Sequence, residues 1–166
     1  MIVLITGDFG VGKDTFADML LNHLGDKGKK VLSYATREPR FEGEDTHIFV
    51  SKEEWLNLDD KVAETLIGDN YYGTIRSQFG HVPFDIYIVD DIGVRDVYAA
   101  DIDDIFLIEV VRPKWLIDVP ESRLNRERTD SYDYYDKVDH RVLNDGGLEK
   151  LDGIAKDISM FLQSSN

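Results

Sequence analysis

The chain of 166 residues contains no cysteine, which excludes disulfides, thiolate nucleophiles and Cys-ligated zinc or iron–sulfur sites and permits a reducing compartment. Positive charge is scarce: 19 Lys plus Arg face 33 Asp plus Glu, for a formal net charge of −14. A polyanion repels a polyanion, so a broad grip on nucleic acid or on an anionic membrane is disfavoured. A small anionic ligand held in a local basic pocket stays open. No apolar run approaches the ~18 residues of a membrane span, and there is no internal repeat, low-complexity tract or linker. The opening Met1–Thr6 has no basic leader and reads as a strand that starts at once, so the expected location is cytoplasmic. The 42% hydrophobic and 31% charged fractions are those of an ordinary soluble domain, and the length predicts a single one, 1–166.

Four apolar runs read as buried strands: Ile2–Thr6, Val31–Tyr34, Phe84–Val89 and Ile105–Val111, with Val142-Leu143 as a short fifth. Helical spacing follows the first run at Phe16, Met19, Leu20 and Leu24. It returns at the C-terminus through Leu148, Leu151, Ile154, Ala155, Ile158, Phe161 and Leu162. Near-continuous apolar strands separated by amphipathic helices predict an α/β fold whose parallel sheet is covered on both faces. Two stretches break the rhythm. Ala35 to Thr74 is polar and turn-rich, and its Ser51-Lys52-Glu53-Glu54 is a capping box that predicts a helix start. Pro113 to Asp139 is dense in charge and tyrosine. Long insertions in compact α/β domains are more often binding segments or lids than idle loops.

Gly7-Asp8-Phe9-Gly10-Val11-Gly12-Lys13 lies between the first strand and the first helix and fits G-x-x-x-x-G-K. Gly7, Gly10 and Gly12 let the backbone, Val11 included, wrap a phosphate with its N–H groups. The helix N-terminus adds partial positive charge, and Lys13 reaches the β and γ phosphates. The predicted fold is therefore a three-layer P-loop NTPase with a parallel sheet of about five strands. After the lysine, where such loops place the Ser or Thr that ligates Mg²⁺, stands Asp14, followed by Thr15. Asp14 either supplies an oxygen to Mg²⁺ or caps the helix; Thr15 either contacts phosphate or packs in the first turn.

Thr36-Arg37-Glu38-Pro39-Arg40 places two guanidinium groups three residues apart. They serve either phosphate recognition or neutralisation of Glu38, Glu42 and Glu44. Order and spacing decide between these, because Ser33-Tyr34-Ala35-Thr36-Arg37-Glu38-Pro39-Arg40, Ile48-Phe49-Val50-Ser51 and Tyr71-Tyr72-Gly73-Thr74 resemble the acceptor segment of the guanylate kinase family. The likeness ends in Asp139-His140-Arg141-Val142-Leu143-Asn144-Asp145, similar to the family's strand before its last helix. The resemblance implies transfer of the γ-phosphoryl of ATP, with Mg²⁺, to GMP or dGMP. It implies that Ser33 contacts the guanine, that Arg37, Arg40 and Tyr72 hold the acceptor phosphate, and that Thr74 lies near the base. His47 stands where the family has a phosphate-binding tyrosine. The guanine-reading glutamate falls at or next to Glu64, one residue out of register, and Asp90-Asp91 occupies the family's acidic position after a strand.

Arg123-Leu124-Asn125-Arg126-Glu127-Arg128-Thr129 resembles the family's lid motif with one extra residue. Arg123, Arg126 and Arg128 would close over the phosphates, add positive charge and exclude water. The family's long helix after this motif is missing. A short lid beside a G-K-D-T loop also resembles small viral deoxynucleoside monophosphate kinases. The expected layout is a core of 1–32, 75–115 and 139–166, an acceptor-binding insertion of 33–74 and a lid of 116–138. The expected partners are ATP and a nucleoside monophosphate, with no nucleic acid and no membrane; oligomeric state is unreadable. A kinase of another nucleoside monophosphate, a non-catalytic guanylate-kinase-like interaction module and a plain nucleotide hydrolase or switch are the alternatives.

Overall fold

The computed structural model describes residues 1–116 and 132–165. Its centre is β1 (Ile2–Thr6), whose five residues are all buried, as a central strand covered on both faces requires. Parallel neighbours flank it: β7 (Phe84–Ile88) on one side and β8 (Ile105–Val111) on the other. With β2 (Gly28–Val31) and β9 (His140–Leu143) at the edges, the order is β2-β7-β1-β8-β9. Alternate side chains of β1 feed two cores. Val3 and Ile5 pack with α1 (Lys13–Leu24) and α4 (Leu148–Ser164) through Phe16, Leu20, Leu151, Ile158 and Leu162. Ile2 and Leu4 face the opposite way, toward Val94 and Val97 of α3 (Asp91–Ala99). The result is the three-layer α/β arrangement predicted above.

One strand moves. Pairing was expected over Val31–Tyr34 but runs over Gly28–Val31, in parallel register with Phe84–Tyr87. As an edge strand, β2 carries Lys29 in solvent, and edge strands tolerate the charge that an apolar-run criterion rejects. Leu32 and Ser33 leave the main sheet. The chain then enters a second sheet of order β4-β3-β6-β5, built from β3 (Tyr34–Ala35), β4 (Ile48–Phe49), β5 (Lys61–Ile67) and β6 (Asn70–Ile75). Between β4 and β5, α2 (Lys52–Leu56) starts where the capping box predicts: Glu54 N–H donates to Ser51 Oγ at 3.1 Å, and Ser51 N–H to Glu54 Oε2 at 2.7 Å. Trp55, wholly buried, packs beneath β6 so closely that a Cβ at Gly73 would lie 2.9 Å from its ring. Among the described residues no helix is long and apolar enough to cross a membrane.

Candidate active site

The turn after β1 follows from glycine chemistry. Gly7, Gly10 and Gly12 hold φ of +134°, +77° and +98°, a region L side chains rarely enter. Closeness adds to conformation: a Cβ at Gly7 would stand 2.1 Å from the Val110 carbonyl oxygen, and one at Gly12 would stand 2.6 Å from Asn144 Nδ2. The Asn144 amide, buried just past β9, donates to the Val11 carbonyl at 2.8 Å. It ties the loop to the far side of the sheet. The motif reading missed this clamp, because nothing local to the loop announces a partner more than a hundred residues away. Lys13 opens α1 and its ammonium donates to the carbonyls of Gly7 and Asp8, both at 2.8 Å. Gly12 is the N-cap of α1, without a side-chain cap bond. Asp14 is thus a first-turn acid rather than the cap, 81% exposed and 3.6 Å from Lys30 Nζ.

The loop forms one wall of a cleft of about 520 Å³. Gly10, Gly12, Lys13, Asp14 and Thr15 line it from the main sheet, while Ser33, Arg40, His47 and Tyr72 line it from the second sheet and its loops. Asp90, at the end of β7, completes the floor. A phosphate-binding turn and a second group of cations and hydroxyls therefore face the same volume.

The two arginines divide. Arg37 grips Glu44 with both arms of its fork, Nη2 to Oε1 at 2.6 Å and Nη1 to Oε2 at 3.0 Å, and its guanidinium lies 4.9 Å from the Phe49 ring centre. Glu44 is buried and also accepts from the Arg40 backbone N–H at 2.6 Å and from Thr46 Oγ1 at 2.7 Å. Arg37 is thus the buried brace of the loop, whereas the Arg40 side chain, half exposed, faces the cleft. The Arg37 guanidinium, with the other two donors, holds the Glu44 carboxyl far below the usual carboxylate range. A depressed folded value means stabilisation that is complete above the unfolded pKa of about 4.3 and is lost as pH falls below it. Glu44→Gln is therefore expected to lower Tm at pH 7, and the gap to the parent protein should narrow steadily between pH 4 and pH 2. A gap independent of pH in a thermal-melt series would refute the assignment.

His47 packs against Phe49, ring centres 5.9 Å apart, and edge-on to Tyr72 at 5.7 Å. Burial first, then the positive charges of Arg37 and Arg40, push its pKa down, so a neutral imidazole faces the cleft at pH 7. Tyr72 also acts electrostatically on the Arg37 guanidinium. At the other end of the cleft the acidic pair separates by role. Asp90 caps α3, its Oδ1 accepting from Gly93 N–H at 2.8 Å and from Thr65 Oγ1 at 3.2 Å, and it lines the cleft. Asp91 points elsewhere, accepting the Tyr132 N–H at 3.0 Å.

Two expected residues lie off the site. Ala63 sits at φ +58° where the β5–β6 register shifts between Val62 and Thr65. This bulge turns Glu64 outward, where its Oε2 accepts the Trp55 indole N–H at 2.7 Å, and Thr65 lines the cleft instead. Thr74 is fully buried and bonded to Gln78, so Tyr72 and Gly73 represent that segment in the cleft. Arg123, Arg126 and Arg128 lie outside the described residues. Arg141 is committed to the buried Glu109, Nε to Oε2 at 2.5 Å. Tyr87, which no motif singled out, is 2% exposed and lines the cleft with its hydroxyl 3.2 Å from Ser33 Oγ.

No protein-family model matches the chain. The guanylate kinase of Mycoplasma pneumoniae is 34% identical over 119 residues, covering 64% of this chain and 49% of that protein. The guanylate kinase of Mycoplasma genitalium is 37% identical over 83 residues, 46% and 34% of the two chains, and that of Ehrlichia chaffeensis 29% identical over 121 residues, 68% and 53%. The chain thus spans about half the length, or less, of the curated relatives it matches. In three dimensions it superposes on the crystal structure of guanylate kinase from Anaplasma phagocytophilum with a TM-score of 0.67 and 19% identity, over 99% of this chain and 85% of that one; at that identity the likeness is one of fold. In sequence the chain is thus similar to guanylate kinases over part of their length, and in fold it is similar to one along nearly all of its own.

Proposed function

We propose that the protein is an ATP-dependent nucleoside monophosphate kinase that transfers the γ-phosphoryl group to GMP or dGMP. The observation that carries this reading is the shared cleft: a phosphate-cradling loop with Lys13 on one wall and Arg40, His47 and Tyr72 on the other. Two anionic substrates brought into one volume of that size are held with their reacting groups close, which is most of what phosphoryl transfer asks of a protein. On this reading the segment 33–74 is the acceptor-binding insertion and 116–138 the lid.

Within the cleft, the loop N–H groups and Lys13 hold the donor phosphates. Arg40, Tyr72 and neutral His47 take the acceptor phosphate, with Arg37 and Glu44 fixing the loop behind them. Ser33, Thr65 and Asp90 face the base. The arginines 123, 126 and 128 are assigned to close the site. Asp14 and Thr15 offer hard oxygen ligands beside Lys13, and among the described residues no three acidic, His or Cys side chains converge on an ion of their own. This donor set fits a Mg²⁺ shared with nucleotide phosphates, the usual habit of that ion. When bound, it would neutralise charge on the phosphates being separated.

A coupled assay of ATP consumption over all eight ribo- and deoxynucleoside monophosphates tests the proposal. Turnover confined to GMP and dGMP is expected, and acceptor-independent ATP hydrolysis would overturn it. The turn of Glu64 toward Trp55 favours the second reading, a kinase of another monophosphate, which dTMP or dCMP turnover would establish. In the same assay Arg40→Ala is expected to raise the acceptor KM by about 10- to 100-fold, the loss of a charge-assisted phosphate contact, while the KM for ATP stays within about twofold. An unchanged acceptor KM would remove Arg40 from the site.

A further inference from the structure

Glu44 does more than brace Arg37, because it also fixes where the proton of a neighbouring ring sits. Its carboxyl is held far below the usual carboxylate range, so it is ionised and can only accept hydrogen bonds. The single proton of the Thr46 hydroxyl therefore goes to Glu44 Oε1, at 2.7 Å. His47 Nδ1 lies 2.9 Å from that same hydroxyl oxygen, which has only lone pairs left to offer it. The network thus assigns the one ring proton of neutral His47 to Nδ1, donating to Thr46. Nε2 carries no proton. His47 lines the cleft beside Arg40 and Tyr72, and with Nδ1 engaged, Nε2 is the nitrogen left for a ligand.

A phosphate dianion has acceptor oxygens only, and an unprotonated nitrogen is an acceptor too. In the free protein the charges around the ring oppose one another. Burial, Arg37 and Arg40 disfavour an imidazolium, while Glu44 and Asp14 favour it. Phe49 of β4 and Tyr72 of β6 complete the shell with ring contacts. A dianion added beside the two arginines reverses that balance, since opposite charges at contact distance favour the charged ring. Moving the proton from Nδ1 to Nε2 is the other escape. It would set Nδ1 and Thr46 Oγ1 lone pair against lone pair, unless Thr46 abandoned Glu44. A second proton keeps both existing bonds and adds a charge-assisted one.

We propose that acceptor binding is coupled to proton uptake: as the phosphate arrives, His47 takes a proton at Nε2, while the relay Glu44–Thr46–His47 holds the other on Nδ1. The proton comes from solvent, no covalent bond to carbon or phosphorus changes, and the proton leaves again with the product. Affinity for the acceptor therefore falls as pH rises. The inference rests on the monophosphate-kinase reading and adds a regulation by pH to it. A tyrosine at position 47 could not supply this coupling, because a phenol already carries the proton it would donate.

Titration calorimetry at pH 7.5 in buffers of different ionisation enthalpy counts the protons, with GMP as ligand or whichever of the eight monophosphates binds tightest. At that pH a free phosphomonoester, with a second pKa of about 6, is already a dianion. The parent protein is expected to take up about 0.5–1 proton per ligand, so its Kd should rise about 3- to 10-fold between pH 7 and pH 8. His47→Tyr should bind with less than about 0.2 proton and a Kd constant within about twofold over that range. Thr46→Val, which frees the ring proton to move to Nε2, should bind with less than half of the parent's uptake. A merely structural role for either residue would change Kd and leave the proton count alone, and thermal melts confirm that both variants are folded. Binding heats that are the same in every buffer, or full uptake retained by His47→Tyr, would overturn the coupling while the kinase reading stands. If none of the eight monophosphates binds, both fall.

Discussion

Replacing Lys13 with alanine is expected to lower kcat for phosphoryl transfer by at least about 10³-fold, with secondary structure unchanged by circular dichroism. In phosphoryl transfer negative charge spreads over the equatorial oxygens of the moving group, and the protein contributes position and fixed positive charge rather than covalent chemistry. A 10³-fold loss corresponds to about 4 kcal/mol of transition-state stabilisation, a fair measure of one ammonium acting in a water-poor cleft. Lys13 is held at the mouth of α1 by the carbonyls of Gly7 and Asp8, so its charge is aimed before the nucleotide arrives and little reorganisation is needed. The KM for ATP should rise much less than kcat falls, because the remaining loop N–H groups still cradle the phosphates. A variant with kcat within tenfold of the parent would remove Lys13 from the chemistry and, with it, the kinase reading.

The second large effect concerns the loop itself. Gly7→Ala should destabilise the protein by about 3 kcal/mol, which for a chain of this size lowers Tm by roughly 6–12 °C. It should also abolish ATP binding. The added methyl group meets the Val110 carbonyl oxygen at 2.1 Å, at a φ of +134°. That oxygen belongs to the backbone of a core strand and cannot swing aside as a long side chain would, so either β8 or the loop must move. At Gly12 the blocking group is the Asn144 amide, which is itself the loop's clamp. An alanine there trades strain for a broken anchor. A Gly7→Ala protein that melts with the parent and binds ATP normally would show that the loop's path is not fixed by this contact.

Local chemistry made much of this molecule readable. The strand–loop–helix of residues 2–24 is contiguous, and its glycines, lysine and apolar spacing act on their immediate neighbours. The capping box at Ser51 works within one helical turn and starts α2 where it should. The core strands β1 and β8 were visible because burial of most of their residues leaves a nearly continuous apolar run. The edge strand β2 was displaced in the reading because its stability comes from pairing with β7, which lysines do not prevent.

Sequence spacing could not distribute roles between adjacent candidates. Arg37 and Arg40 read alike in the chain, yet one is consumed by buried Glu44 and the other faces the cleft. Asp90 and Asp91 differ by one residue, and helix geometry turns only the first into the site. Glu64 and Thr65 exchange places because Ala63 takes a positive φ, a bulge that alanine does not announce. Asn144 was legible only as part of the segment before the last helix and Tyr87 carries no motif at all; long-range packing brings them to the loop and to Ser33.

By itself, then, the sequence determined the fold class and the phosphate-binding turn, since each depends on interactions between residues close in the chain. The tertiary structure decided which side chain of each pair is exposed to the cleft and which cation is already neutralised. Those are questions of burial and partner, and burial and partner exist only once distant segments have packed.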